Sequence, residues 1–136
     1  METGKALEDR VLIREVYGKY ALAAAKRDLT AWIDSWTQDG HWIISTFDGS
    51  GHAQLSEQWD AQWANFINVA VINEVGPILL SGDTAKASCC VREVAQMTDG
   101  GILLMTGVYE DDLKREDGVW RFARREYGML TTQISR

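Results

Sequence analysis

A few side chains carry groups able to move protons. Glu93 is the best candidate for a base, because a partly desolvated carboxylate has its pKa raised toward neutrality and can then take a proton from carbon. Arg125 is suited to hold an oxygen of a carboxylate, phenolate or enolate. Tyr20, Tyr109 and Tyr127 add phenol hydroxyls that donate hydrogen bonds to a carbonyl or a leaving group. These residue types indicate acid–base chemistry.

All of these residues except Tyr20 lie on segments that read as β-strands. Gly- and Asp-containing turns separate four such segments, residues 69–80, 84–97, 102–113 and 119–131, which predicts a meander of long antiparallel strands. Alternate residues of a strand face the same way. Glu93 therefore shares a face with Val91 and Ala95.

The same alternation groups the later residues. Tyr109 shares a face with Met105, and Arg125 shares one with Tyr127 and Met129, whereas Phe122 is expected on the opposite face. Both faces are substantially apolar. We expect one face to meet helices and the other to meet a second copy of the chain, as a homodimer or homotrimer through the sheet.

The first sixty-odd residues read mainly as helices. Apolar residues recur at helical spacing from Leu7 to Ala24, and Asp28 is placed to cap a second helix whose stripe runs to Trp36. Residues 41–47 predict a strand and residues 48–51 a loop; a third helix follows, with a stripe from Leu55 to Ile67. The order predicts an α+β domain with helices packed on a curved sheet.

Composition narrows the class of protein. The 136 residues suit one domain, residues 1–136, and the net charge of −6 disfavours nucleic acid or an anionic membrane as a partner. Cys89 and Cys90 are adjacent and would face opposite sides of a strand, so neither a disulfide nor a metal site is expected. Residues 1–12 contain no apolar run, which predicts a cytoplasmic protein, and no cofactor motif is present.

Two stretches resemble a known family. They are residues 7–42, with Ile13, Tyr17, Asp28, Trp36, Asp39 and Gly40-His41-Trp42, and the close of the chain, Gly118-Val119-Trp120-Arg121-Phe122 leading to Arg125 and Tyr127. Both resemble the SnoaL-like branch of the NTF2-like superfamily. The resemblance implies a cone in which three N-terminal helices pack on a curved antiparallel sheet around an apolar pocket. It also implies a cofactor-free reaction in which a proton leaves carbon beside a leaving group or a carbonyl.

The resemblance also brings departures. Dehydratase and dehydrochlorinase members use a helix-one Asp to orient a His, and an ungapped match puts Ala25 and Asn73 at those positions. Tyr20 falls where the dehydrochlorinase pattern has a Lys, while the basic and aromatic positions are kept as Arg125 and Trp42. If the face with Arg125 is the pocket face, as the resemblance implies, then Glu93, Tyr109 and Tyr127 enter the same cavity.

The sequence thus predicts a cofactor-independent lyase or dehydratase that acts on a small aromatic or alicyclic substrate by proton abstraction and β-elimination. Glu93 is the expected base, Tyr20 and Tyr109 are the acids and Arg125 is the anchor for an oxyanion or carboxylate. The expected substrate-binding residues are Trp42, Asn73, Met105, Tyr127, Trp59 and Met129.

Four alternatives stay open. Instead of a lyase, the first is a non-catalytic ligand-binding or assembly protein with the same pocket, and the second is a cofactor-free isomerase. Glu93 and Arg125 can instead form a buried ion pair that only stabilises the sheet. His52, in a Gly-rich loop, is either a solvated loop residue or a proton carrier near the pocket mouth.

Overall fold

A computed structural model describes residues 2–136. Its helices are α1 (Gly4–Ala25), α2 (Leu29–Asp34) and α3 (His52–Trp63). The buried side of α1 carries Ile13, Tyr17 and Tyr20, at the spacing that places residues on one helical face. The Asp28 carboxylate accepts a hydrogen bond from the Ala31 N–H at 3.1 Å, which confirms Asp28 as the N-cap of α2.

Six strands form one sheet in the order β2-β1-β6-β5-β4-β3. Their bounds are β1 (Trp36–Ile44), β2 (Phe47–Ser50), β3 (Phe66–Ser81), β4 (Thr84–Met97), β5 (Ile102–Glu116) and β6 (Val119–Ser135). The strands from β3 to β6 are the predicted antiparallel meander. However, β1 runs parallel to β6, so the sheet is mixed. The prediction of a wholly antiparallel sheet is wrong at this pair.

The N-terminal part also departs from the prediction. Two strands separate α3 from the first two helices, so the three helices are not consecutive. Trp36 opens β1 instead of closing the second helix, and residues 48–50 belong to β2 instead of a loop. Trp36 is fully buried, as its spacing from Trp32 predicts. Its backbone, however, is a strand and not a helix. Pairing with a distant strand outweighed the local pattern.

The core lies between the helices and the inner face of the sheet. Phe122 is fully buried there and meets the Tyr17 ring edge-on, with ring centroids 4.9 Å apart. The prediction that Phe122 faces outward is therefore wrong. The register of β5 against β6 shifts between Asp112 and Leu113, and such a bulge reverses the alternation of side chains beyond it.

The outer face of the sheet remains uncovered in the single chain. Ile72 and Ile102 are exposed on it, and Val94 and Leu104 are half-buried. Association through this face stays a prediction. Cys89 is buried and Cys90 is exposed, which confirms that they face opposite sides.

Two kinds of feature are absent from the described residues. No helix within residues 2–136 has the length and apolar character needed to cross a membrane. The same residues contain no group of three or more His, Cys, Asp or Glu side chains arranged to hold a metal ion.

Candidate active site

A cavity of about 310 Å³ lies between the three helices and the inner face of the sheet. Its walls are mainly aromatic and aliphatic, and Ser45, Thr46 and Gln62 add polar groups from the β1–β2 turn and α3. The aromatic side chains lining it are Tyr20, Trp32, Trp42, Trp59, Trp63, Phe66, Tyr109 and Tyr127. This size and lining suit a small, flat, apolar ligand.

Glu93, on β4, is the only charged side chain among residues 2–136 that lines the cavity. Within residues 2–136 its carboxyl group has no hydrogen-bond or ion-pair partner; it is influenced only by burial and by the charge of Arg125. Burial raises the pKa of Glu93, and the nearby guanidinium offsets part of that rise. A buried carboxyl group with a raised pKa takes up a proton more readily than an exposed one, which suits it to accept a proton in a reaction.

Tyr109, on β5, lines the cavity, and its hydroxyl group lies within the influence of the charges of Arg125 and Glu93. Its hydroxyl oxygen accepts a hydrogen bond from the indole N–H of Trp42, on β1, at 3.0 Å. Burial raises the pKa of Tyr109 well above its ordinary value, so the phenol is a neutral hydrogen-bond donor. Tyr20, from α1, is also buried at the cavity wall, and burial raises its pKa as well.

Tyr127, on β6, lies over β5 where that strand carries Gly107. A side chain at Gly107 would collide with the Tyr127 ring and hydroxyl, so glycine is what lets this ring lie flat against the strand. The ring stacks at a tilt on Tyr109, with centroids 5.0 Å apart. The Tyr127 hydroxyl is buried and has no hydrogen-bond partner within residues 2–136, and burial raises its pKa to about 12.

Arg125 lies behind the cavity wall and is not among the residues that line it. Its guanidinium binds both carboxylate oxygens of Asp111, with Nε 2.8 Å from Oδ1. It also lies over the rings of Tyr109 and Tyr20, at 3.9 and 4.7 Å from their centroids. The structure thus places Arg125 where it supports the tyrosines, rather than where it would touch a ligand, and its ion-pair partner is Asp111 rather than Glu93.

Asn73 does not reach the cavity either. Its amide donates to the backbone carbonyl of Tyr17 at 3.1 Å, tying β3 to α1. Ala25, the other residue at a dyad position of the family pattern, is exposed at the end of α1. His52 is the first residue of α3 and directs Nε2 toward the Trp36 carbonyl at 3.1 Å, so no histidine lines the cavity among residues 2–136.

The structure therefore brings most of the predicted site residues to one cavity. They are Glu93, Tyr20, Tyr109, Trp42, Met105, Tyr127, Trp59 and Met129. Sequence reasoning missed Asp111, although the alternation of β5 places it on the face of Tyr109, two residues along. An acidic residue on an apolar face near an arginine was the signal that could have found it. Trp32 and Trp63 also line the cavity.

Helices packed on a six-stranded mixed sheet around an apolar cavity are the architecture of the NTF2-like superfamily. Within that superfamily the chain belongs to the SnoaL-like family, whose sequence profile matches residues 5–126.

Individual relatives are more distant. The chain is similar to the gamma-hexachlorocyclohexane dehydrochlorinase of Sphingobium indicum, with 23% identity over 137 aligned positions that cover 88% of this chain and 79% of that protein. Among solved structures, a candidate scytalone dehydratase from Novosphingobium aromaticivorans matches with a TM-score of 0.90 at 18% identity, covering 99% of this chain and 93% of that one. A candidate aromatic ring hydroxylase from the same organism matches with a TM-score of 0.87 at 25% identity, covering 95% and 93%.

Proposed function

We propose that the protein is a cofactor-independent lyase that removes a proton and a leaving group from adjacent carbons of a small aromatic or alicyclic substrate. The observation that carries this proposal is Glu93, the single ionisable carboxyl group on the wall of an aromatic cavity, without a partner among residues 2–136. A desolvated carboxylate beside neutral phenols is a suitable base for removing a proton from carbon.

The reaction proceeds by β-elimination. The ionised Glu93 carboxylate takes the proton from carbon, the C–H electron pair forms the new double bond, and the bond to the leaving group breaks with its electrons. Where the leaving group is hydroxyl, the Tyr109 or Tyr20 O–H supplies a proton and the group departs as water. The proton gained by Glu93 then passes to the phenolate, so the protein ends unchanged. Where the leaving group is chloride, it departs as the anion, and Glu93 afterwards loses its proton to solvent.

The relatives support this reaction class. The Sphingobium relative is a dehydrochlorinase, and its name specifies loss of hydrogen and chlorine from hexachlorocyclohexane. The positions of the family's Asp–His dyad hold Ala25 and Asn73 in this chain, so we assign the base to Glu93. Arg125 acts in this proposal as a positioning residue behind Tyr109 and Tyr20.

The test is turnover of a panel of aryl β-hydroxy ketones and hexachlorocyclohexanes by Glu93→Gln. Alkene formation is followed by ultraviolet absorbance and chloride release by an ion-selective electrode. We expect Glu93→Gln to lower turnover by at least about 100-fold, the usual contribution of a general base. Glu74→Gln, which removes an exposed carboxylate from β3, serves as the matched control. Equal turnover by wild type and Glu93→Gln contradicts the assignment.

A second function is favoured by one observation: no histidine and no helix-one carboxylate faces the cavity within residues 2–136. A protein that has lost the family's base but kept its cavity would bind an aromatic ligand without changing it. The same panel separates the two functions. A binder gives saturable quenching of tryptophan fluorescence with intact ligand recovered, whereas a lyase gives product.

A further inference from the structure

The hydrogen bond between Trp42 and Tyr109 fixes how the Tyr109 hydroxyl can be used. The Trp42 indole N–H can only donate, so at 3.0 Å the Tyr109 oxygen is the acceptor. The phenol keeps its own proton, and that proton has no acceptor among residues 2–136. Tyr109 is 4% exposed and lines the cavity, so the free O–H is a buried donor whose available partner is a ligand.

A second unused hydroxyl lies next to it. The Tyr127 hydroxyl is buried without a partner in the described part of the chain, and its ring stacks on Tyr109. A buried hydroxyl without a partner is costly, so a site holding such groups is completed by a ligand or water that bonds to them. Both tyrosines line the cavity, and the hydroxyl group of each has unused hydrogen-bonding capacity.

The charges of the site restrict the ligand further. Arg125 is 1% exposed, and its guanidinium is paired with Asp111. Among residues 2–136 no Lys, Arg or His side chain lines the cavity to balance an anionic ligand, and Glu93, the one charged side chain of those residues on the wall, would repel an anion whenever it is ionised. An uncharged ligand avoids both problems.

We propose that the cavity recognises an uncharged aromatic ligand through one carbonyl oxygen, which accepts the O–H of Tyr109, and that Trp42 is the positioning residue that directs this O–H into the cavity. The proposal names the ligand class of the site whose function is proposed above. Its test uses ligands that cannot undergo elimination, so a catalytically inert protein can still support it and an active enzyme can still contradict it.

Three probes of nearly identical shape isolate the carbonyl group. Acetophenone carries the acceptor, α-methylstyrene replaces the oxygen by a methylene group, and benzoate replaces the methyl group by a charged oxygen. Affinities come from quenching of tryptophan fluorescence and from isothermal titration calorimetry. We expect wild type to prefer acetophenone over α-methylstyrene by about tenfold, the size expected of one hydrogen bond in an apolar site, and to bind benzoate weakest.

Variants then assign the donor and the positioning residue. We expect the ratio of the affinities for acetophenone and α-methylstyrene to fall to about one in Tyr109→Phe, which lacks the donor. In Trp42→Phe we expect this ratio to fall to about threefold or less, because the Tyr109 O–H is no longer directed into the cavity. The double variant should resemble Tyr109→Phe alone. Trp36→Phe is the matched control: Trp36 is buried, does not line the cavity, and its indole N–H has no partner within residues 2–136.

The affinity for α-methylstyrene reports whether each variant keeps the cavity, because this probe needs no hydrogen bond. If Tyr109→Phe does not fold, Trp42→Phe measured with the same probes decides the proposal alone. A wild-type preference near one, or benzoate bound as tightly as acetophenone, overturns the ligand class. An undiminished preference in Trp42→Phe overturns the positioning role.

Discussion

Arg125 and Asp111 form a two-point ion pair beneath the cavity. Nε lies 2.8 Å from Oδ1 and Nη2 lies 3.1 Å from Oδ2, and the two side chains are 1% and 0% exposed. The Tyr17 hydroxyl donates a third hydrogen bond to Oδ2 at 2.5 Å. In this hydrogen-bonded cluster the positive charge of Arg125 lies against Tyr109 and Tyr20 on the side away from the cavity. The charge therefore does not contact a ligand in the cavity.

Removing one partner of that pair should be costly. We expect Asp111→Asn to lower the free energy of unfolding by about 3–5 kcal/mol, because the Arg125 charge stays buried and loses its counter-ion. The neighbouring Asp112 pairs with Lys86 at the surface and provides the matched control. Asp112→Asn should cost less than about 1 kcal/mol. Urea denaturation measures both values, and similar costs for the two variants would contradict the buried-pair interpretation.

Gly107 should tolerate no side chain while Tyr127 keeps its position. A Cβ there overlaps the Tyr127 ring, so Gly107→Ala should force the ring off the cavity wall and cost about 1–3 kcal/mol in thermal or urea unfolding. Gly128, on β6, serves as the control. A Cβ there would lie 3.7 Å from the nearest atom, so Gly128→Ala should change the unfolding free energy only slightly. In a Tyr127→Ala background the cost of Gly107→Ala should shrink, and an unchanged cost would place the strain elsewhere.

The raised pKa of Glu93 makes stability depend on pH with a definite sign. Burial raises this pKa above its ordinary value of 4.5, so the folded protein holds the proton more tightly than the unfolded chain does. The stabilisation that the fold gains from this tighter proton binding is fully present below pH 4.5 and is lost as pH rises through the raised pKa of Glu93. Glu93→Gln should therefore become more stable relative to wild type as pH rises, as measured by urea denaturation from pH 4 to 8. A relative stability that falls over this range would show that Glu93 is held ionised by the fold.

The same shift predicts the pH profile of an elimination in which Glu93 is the base. Turnover should rise as pH increases through the raised pKa of Glu93, because only the carboxylate accepts a proton from carbon. Initial rates measured across the acidic and neutral range give this profile. A rate that falls with increasing pH would indicate that the protonated carboxyl group is the active form.

The N-cap of α2 gives a prediction independent of the cavity. Asp28→Ala removes the acceptor for the Ala31 N–H and should lower the free energy of unfolding by about 1 kcal/mol, whereas Asp28→Ser keeps a capping oxygen and should cost less. Thermal denaturation compares the two variants. Equal losses would mean that the carboxylate charge, rather than the cap hydrogen bond, stabilises this end of α2.

Strand alternation succeeded where the strands pair without interruption. Glu93 lies opposite Met105, and Tyr109 lies opposite Tyr127, so counting residues by twos was sufficient to bring these side chains to one face. Alternation failed for Phe122 because a bulge where β5 pairs with β6 adds one residue to β6. No local sequence pattern indicates this bulge. The partner of Arg125 was misjudged for a related reason: a guanidinium can reach several carboxylates, and only the register of β5 against β6 selects Asp111.

The parallel pairing of β1 with β6 had no local signal at all. The segment around Trp36 fits a helix by spacing, and its strand conformation follows from a partner near the other end of the chain. The cap at Asp28 was predictable because the carboxylate and the N–H it accepts from are three residues apart. Features decided within a few residues were accessible from sequence, and those decided by distant pairing were not.

The parallel pairing of β1 with β6 also determines when the cavity can form during folding. Tyr20 and Trp42 enter the cavity from the first third of the chain, and Tyr127 and Met129 enter it from the last strand. Because β6 lies between β1 and β5, the two parts of the sheet join only when β6 docks. Because such long-range contacts form slowly, we expect closure of the sheet to be a late event in folding. A chain still emerging from the ribosome is then expected to have no complete ligand site until β6 has been made.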